Sequence, residues 1–258
     1  MTTHVDRRRL SRAPLALVAL QLNYSEIDRK LLNKEVMSYR AALKEEAYGE
    51  LTQVHKNQMA FQVSAMGGTS TSEVSRSTGW RLATRDQSWS VTLFQDSIIL
   101  EAREQAYGDW PSVFRPRLET AIKGLAEVFQ PELQTRIGLR YINALSHPEA
   151  SIPTFWRGRI RDTFLGPLSD NALMDNFRNS NLRTTFEFEN AQANLNMAFQ
   201  PDTTKQGRTA VVFDTDVYRS DTKEFSYDLI IAEADGLNTI ALQLFQRIIS
   251  EAQLEELR

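Results

Sequence analysis

Apolar and polar residues alternate along several segments of this chain, which is the pattern of strands with one buried face. Between 88 and 93, three apolar residues alternate with serine and threonine, and between 136 and 141 the odd positions are apolar while the even ones are arginine or glycine. The predicted strands are 15–22, 59–65, 80–85, 88–93, 98–103, 136–145, 184–188, 193–199 and 209–218.

Apolar residues spaced three or four positions apart, together with capping residues, predict four helices. The clearest one has a stripe of apolar residues, three or four positions apart, from 114 to 129. Asp109 is its predicted N-cap and Pro131 ends it. A helix of about 25 residues is predicted after Ser25, which is a favourable N-cap residue followed by acidic residues. The remaining helices are predicted at 152–168 and 227–249.

The same order of elements, strand then helix then several strands then helix, is predicted twice. The first half comprises residues 1–130 and the second residues 131–258. No flexible linker separates them, so we expect one compact unit. The fold class predicted is α+β, with an antiparallel sheet and packed helices in two similarly organised halves.

Composition narrows the class of protein. The chain has 258 residues, a formal net charge of -3 and no cysteine, which excludes thiol chemistry and argues against a dedicated nucleic-acid binder. The apolar run at 15–22 follows several arginines, as in a signal peptide, but it contains Gln21 and no Ala-x-Ala site follows it. We therefore expect a cytoplasmic protein without a membrane-spanning segment.

Arginine is strongly preferred over lysine, with 23 arginines and 7 lysines. Arginine favours paired contacts with carboxylates and phosphates. Glu149 is the only acidic residue between 136 and 161. Five arginines and one tryptophan in this stretch are the candidate binding residues for an acidic partner, a phosphate or a nucleic acid: Arg136, Arg140, Arg157, Arg159, Arg161 and Trp156.

Paired carboxylates are the second candidate site. They lie two positions apart on predicted strands, so each pair shares one face. Four such oxygen donors would suit Mg²⁺ or Mn²⁺, and neighbouring arginines would suit a phosphate. The alternative is a solvated sheet face on which opposite charges pair across strands. The candidate metal ligands are Glu187, Glu189, Asp214 and Asp216.

The octapeptide 136–143, Arg-Ile-Gly-Leu-Arg-Tyr-Ile-Asn, resembles the central R-x-G-L-R-Y-x-N strand of a family of uncharacterised, sporadically distributed bacterial proteins of about 260 residues. Tyr-Gly-Asp-Trp at 107–110 and Asp-Thr-Asp at 214–216 resemble further family segments. Asn238 and Thr239 stand where that family frequently has a histidine. The resemblance implies a bacterial origin and an architecture, and it implies no reaction.

The sequence carries no cofactor motif and no nucleophile signature, and its three histidines lack metal-ligand spacing. We therefore expect a non-enzymatic binding or regulatory module that acts through a protein partner. The resemblance favours an accessory role, such as a toxin partner or a phage-defence component. The alternatives are a metal-dependent phosphate-processing enzyme that uses the paired carboxylates, and a nucleic-acid-binding protein that uses the arginine and aromatic residues.

Overall fold

Residues 6–7, 10–43, 48–58, 61–63, 69–71, 75–147, 149–150, 153–170, 172–173, 177–201 and 209–258 are described by the structure, a computed structural model. The strands are β1 (Leu15–Tyr24), β2 (Glu50–Gln58), β3 (Phe61–Val63), β4 (Thr69–Thr71), β5 (Ser75–Ala83), β6 (Trp89–Leu93), β7 (Ser97–Arg103), β8 (Leu133–Ser146), β9 (Ser180–Phe188), β10 (Ala191–Pro201), β11 (Thr209–Arg219) and β12 (Lys223–Glu224). The helices are α1 (Arg29–Ala42), α2 (Arg115–Phe129), α3 (Tyr227–Ile248) and α4 (Glu251–Leu257).

Within these ranges, ten strands form one antiparallel sheet, and β3 pairs with β4 in a small separate sheet. The order in the large sheet is β2-β5-β6-β7-β1-β8-β11-β10-β9, with β12 beside β8. Strands β1 and β8 are antiparallel neighbours at its centre, where Leu20 lies opposite Leu139. The sheet is therefore continuous across the boundary between 1–130 and 131–258. The predicted α+β class, with an antiparallel sheet and packed helices, is confirmed.

One face of the sheet carries the hydrophobic core. A row of five residues in register across neighbouring strands is 0–2 % exposed: Leu82, Val91, Leu100, Leu20 and Leu139. Burying each such side chain stabilises the fold by about 1.5–3 kcal/mol, and a one-residue slip of any strand would expose it. Helices α1, α2 and α3 pack on this face, and the stripe predicted on α2 is buried along its whole length.

Two helix predictions in the first half have different outcomes. The predicted cap at Asp109 is confirmed one turn before α2. Asp109 accepts a hydrogen bond from the backbone N–H of Ser112 at 2.7 Å and so caps the helical turn Trp110–Phe114, which continues into α2. Helix α1 is shorter than predicted and is capped by Asp28, not Ser25. The Ser25 hydroxyl instead accepts from the backbone N–H of Glu132 at 3.0 Å. It thereby ties β1 to the start of the second half.

The helix predicted at 152–168 is wrong. This stretch contains three short 3-10 turns, Pro153–Trp156, Asp162–Phe164 and Gly166–Ser169. Gly158 and Gly166 have φ angles of +73° and +56°, a left-handed conformation that interrupts a right-handed helix. Trp156 and Ile160 of the predicted stripe are still buried, in a second core cluster with residues of β10, β11 and α3. Within the described residues, these turns stand in the second half at the place that helix α1 has in the first half.

The chain closes with two helices where one was predicted. Helix α3 matches the prediction at 227–249 closely. Helix α4 follows after Ser250, whose hydroxyl accepts from the backbone N–H of Gln253 at 3.2 Å and so caps it. Among the described helices, none combines the length and the apolar character that crossing a membrane requires.

Candidate functional site

The face of the sheet opposite the helices is polar, and we call it the polar face. It is formed by the alternate positions of β1, β7, β8, β9, β10 and β11 that point away from the core. A hollow of about 370 Å³ lies on it, and strand residues form its whole lining. Antiparallel sheets commonly expose one face to water. Here that face carries ordered ion pairs.

Two arginine–aspartate pairs cross from β8 to β11, and we call these four residues the Arg–Asp ladder. Arg140 donates from Nε and Nη2 to the two carboxylate oxygens of Asp214, both at 2.7 Å. Arg136 donates from Nη2 to Asp216 at 2.9 Å. The backbone register places Asp216 directly opposite Arg140, so both salt bridges run diagonally. Bidentate contacts of this kind fix the side-chain geometry.

The glycine at position 138, between Arg136 and Arg140, leaves space for the Arg136 side chain. A Cβ at position 138 would meet the guanidinium of Arg136 at 2.6 Å. Without that atom, Arg136 lies along the strand and its Cζ sits 4.8 Å from the centre of the Tyr218 ring, a cation–π contact. The absence of a side chain at position 138 therefore lets Arg136 point toward Asp216.

Partial burial and hydrogen bonding shift the pKa of two members of the ladder, Asp216 and Arg140. Burial raises the pKa of Asp216 above its ordinary value, although Arg136 and Arg140 act to lower it. The hydrogen bonds from Arg140 to Asp214 raise the pKa of Arg140, so this arginine stays charged. Arg140 is also the most exposed member, with half of its side chain accessible to solvent.

The four candidate metal ligands fall into two separate groups. Asp214 and Asp216 lie in the hollow of the polar face and are occupied by arginines. Glu187 and Glu189 lie at the β9–β10 hairpin, in a second hollow of about 350 Å³ that Lys223 also lines. In the described part of the chain, no group of three or more acidic or histidine side chains is placed to hold a metal ion.

The candidate basic patch divides in the same way. Arg136 and Arg140 belong to the ladder, whereas the other four residues contact other parts of the chain. Trp156 is 1 % exposed, and its Nε1 donates to the Thr209 hydroxyl at 3.1 Å. It is therefore not accessible for stacking on a base.

Three arginines of that patch bind the chain itself. Arg159 donates to Gln253 at 3.0 Å and forms an ion pair with Glu256. Arg161 donates to the Ile249 carbonyl at 3.2 Å, and Arg157 donates to the Leu168 carbonyl at 2.6 Å. The contacts of Arg159 and Arg161 attach α4 and the segment after α3 to the 3-10 turns, and the contact of Arg157 lies within the turns themselves.

The polar face also contains four residues that were not among the candidate site residues. The Asn194 side chain accepts from the Thr185 hydroxyl at 2.9 Å, and Glu101 accepts from the Ser90 hydroxyl at 2.9 Å. The asparagines alternate with buried residues on β10, but only the pairing of β10 with β11 places them beside the aspartates. The four added residues are Glu101, Arg183, Asn194 and Asn196.

Comparison with known proteins identifies no family. No family model matches the chain, and no curated protein matches it. Among solved structures, S. pombe Pct1 RNA triphosphatase in complex with the Spt5 CTD matches with 10% identity over 92% of this chain and 84% of that chain, at a TM-score of 0.12. S. pombe Pct1 RNA triphosphatase matches with 9% identity over 95% of this chain and 80% of that chain, also at 0.12. Similarity this low supports no statement about fold or function.

Proposed function

We propose that this protein is a non-enzymatic binding module that acts through a protein partner, and that the polar face is its binding surface. The observation that supports this most directly is the Arg–Asp ladder. Each aspartate there already accepts hydrogen bonds from an arginine. A carboxylate so engaged is a poor general base or metal ligand, but it holds a fixed pattern of charge for recognition.

The charge balance of the polar face favours a protein over a nucleic acid. Three arginines and three acidic residues line its hollow: Arg136, Arg140, Arg183, Glu101, Asp214 and Asp216. A surface for a phosphate backbone needs an excess of positive charge. A balanced pattern of both signs complements a protein segment that itself carries both signs.

The proposed setting is a bacterial cytoplasm. This proposal rests on the resemblance of β8 to the R-x-G-L-R-Y-x-N strand of the uncharacterised bacterial family. The two arginines of that pattern are Arg136 and Arg140 in this chain, and both belong to the Arg–Asp ladder. An accessory role, as a toxin partner or a phage-defence component, is the form of partner binding that this family's sporadic distribution favours.

The test reverses the charge pattern and keeps the salt bridge. In the double variant Arg140→Asp with Asp214→Arg, one ion pair can still form while the local charge pattern is inverted, and the Tm of the variant establishes that it folds. We expect a protein that co-purifies stoichiometrically with the wild type from its native host to be lost from this variant. Quantitative mass spectrometry of the purified complexes measures the loss.

Two further samples make the result decisive. Lys34→Ala on α1, which breaks an exposed ion pair with Glu35 at 3.1 Å, serves as the control and should retain the partner. Equal recovery of the partner with the charge-swapped variant would contradict the proposed surface. A wild type that purifies without any stoichiometric protein would contradict the proposed function.

A further inference from the structure

A cleft of about 320 Å³ lies on the other side of the sheet, between β8, β11, α3 and the segment at 10–15. Its position is determined by backbone contacts. The N–H of Ala144 donates to the Pro14 carbonyl at 2.7 Å, and the N–H of Arg12 donates to the Leu257 carbonyl at 3.0 Å. These two hydrogen bonds fix the position of the segment at 10–15, which forms one wall of the cleft, so the cleft is preformed. Its volume lies at the lower end of the range of about 300–1,000 Å³ for small-molecule sites.

The base of the cleft is a chain of hydrogen bonds between three uncharged side chains. The hydroxyl of Tyr141 donates to Oδ1 of Asn238 at 2.9 Å. Since that bond uses its only proton, Tyr141 accepts from the Tyr107 hydroxyl, which is 2.9 Å away. The rings of the two tyrosines meet edge to face. These contacts orient the Asn238 amide so that its NH₂ group is left for another acceptor.

Three buried polar residues in the cleft have hydrogen-bonding capacity that no described residue uses. Asn143, Thr215 and Asn238 are 7 %, 5 % and 4 % exposed. Neither the Asn143 amide nor the Thr215 hydroxyl forms a side-chain hydrogen bond with the described part of the chain, and the same holds for the Asn238 NH₂ group. Their polar atoms are not among the side-chain atoms that are fully buried without a partner, and they line the cleft, where water or a ligand can reach them. An occupant with complementary hydrogen-bonding groups would satisfy all three.

The walls of the cleft are mainly apolar. Trp110, Leu242 and Phe245 line it on the helical side, and Leu10 and Leu15 line it on the opposite side. Arg7 lies at the cleft and donates to the Thr239 hydroxyl at 2.9 Å. Asp6 and Asp109 also line the cleft, but Asp6 pairs with Arg258 and Asp109 accepts from the Ser112 hydroxyl. The polar groups at the base are neutral, and burying an unpaired charge beside them would be costly.

We infer that this cleft binds a small neutral molecule with an apolar body of one or two rings and a head group that both donates and accepts hydrogen bonds, as a lactam does. The head group lies against Asn143, Thr215 and Asn238, and the rings lie against Trp110 and Phe245. The site is independent of the polar face, because successive residues of β8 and β11 point to opposite sides of the sheet.

The first experiment measures binding of two neutral lactams, 2-pyridone and 2-quinolinone, by ligand-observed NMR and by thermal unfolding. We expect saturable binding of at least one of them and a higher Tm in its presence. Quinoline-2-carboxylate, which has a two-ring body and a charged head, should bind at least tenfold more weakly. Absence of binding by both lactams, or tighter binding of the carboxylate, would overturn the inference.

The second experiment uses variants of nearly unchanged shape. Thr215→Val removes the hydroxyl and should weaken lactam binding about tenfold, which corresponds to about 1.4 kcal/mol, whereas Thr215→Ser should retain it. Ala241→Phe should fill the cleft and abolish binding. The Tm of each free variant establishes that it folds. Equal affinity of the wild type and both the valine and phenylalanine variants, or a crystal soaked in lactam that shows only ordered water in the cleft, would contradict the site.

Discussion

The guanidinium of Arg136 lies so close to Gly138 that a Cβ at position 138 would meet Nη1 at 2.6 Å. Gly138→Ala should therefore displace Arg136 from Asp216 and from the ring of Tyr218. The guanidinium is the far end of a flexible side chain and can move aside, so we expect a loss of at most about 1 kcal/mol in the free energy of unfolding, the value of a partly exposed ion pair. Urea denaturation measures it. Gly49→Ala is the control, because no atom lies within 4 Å of a Cβ there, and an equal loss in that variant would contradict the explanation.

Asp216 should make folding stability depend on pH in the acid range. Its pKa is raised by burial above the ordinary value of 3.8, so the folded state retains this proton at pH values where the unfolded state has lost it. The free energy of unfolding therefore falls as the pH rises through the interval between 3.8 and the raised pKa.

The comparison that isolates this effect is wild type against Asp216→Asn. Urea unfolding at a series of pH values from about 3 to 7 gives both curves, and other titrating groups cancel in their difference. We expect the wild type to lose stability relative to the variant as the pH rises. A gain would mean that Arg136 and Arg140 outweigh burial and lower the pKa.

Arg159 should hold helix α4 on the molecule. Its Cζ lies 4.3 Å from the centre of the Phe155 ring, and its guanidinium binds Gln253 and Glu256. Arg159→Ala should cost about 1–2 kcal/mol, because hydrogen bonds to charged groups stabilise more than neutral ones. Hydrogen exchange should show loss of protection confined to 251–257.

The matched control for this prediction is Lys123→Ala on α2. Its ion pair with Glu127 has an N–O distance of 3.9 Å, and both side chains are mostly exposed. Pairs of this kind contribute at most about 1 kcal/mol. Unchanged protection of α4 in Arg159→Ala would show that the apolar contacts of Leu254 and Leu257 suffice to hold it.

Divalent cations should not stabilise this protein through the paired aspartates. Asp214 and Asp216 are held by arginines, so binding Mg²⁺ would require breaking charge-assisted hydrogen bonds. We expect millimolar Mg²⁺ or Mn²⁺ to leave the Tm unchanged relative to an EDTA-treated sample. A rise in Tm that disappears in Asp214→Asn would revive the metal-dependent phosphate-processing alternative.

Local pattern alone determined much of the architecture. The sequence pattern predicted a strand at the place of each strand of the large sheet except β2, which begins where the first helix was predicted to end, and the two-residue β12. Alternation is informative because a strand with one buried face imposes its period on the sequence. The stripe at 114–129 and the cap at Asp109 located α2 for the same local reasons. The alternation also assigned Arg136 and Arg140 to one face of their strand and Tyr141 to the other, since successive residues of a strand point to opposite faces.

Only the tertiary structure decided which of these faces and residues meet. The diagonal pairing of Arg140 with Asp214 depends on the register between β8 and β11, two strands more than 60 residues apart along the chain. Trp156 and Arg159 lie in a basic stretch of sequence, yet one is buried and the other binds α4, a helix almost 100 residues away. The cleft arises in the same way, because Tyr107, Asn143 and Asn238 come from three distant segments. Local pattern reflects the period of each element, whereas a site depends on contacts between elements, and those contacts form only when the whole core packs.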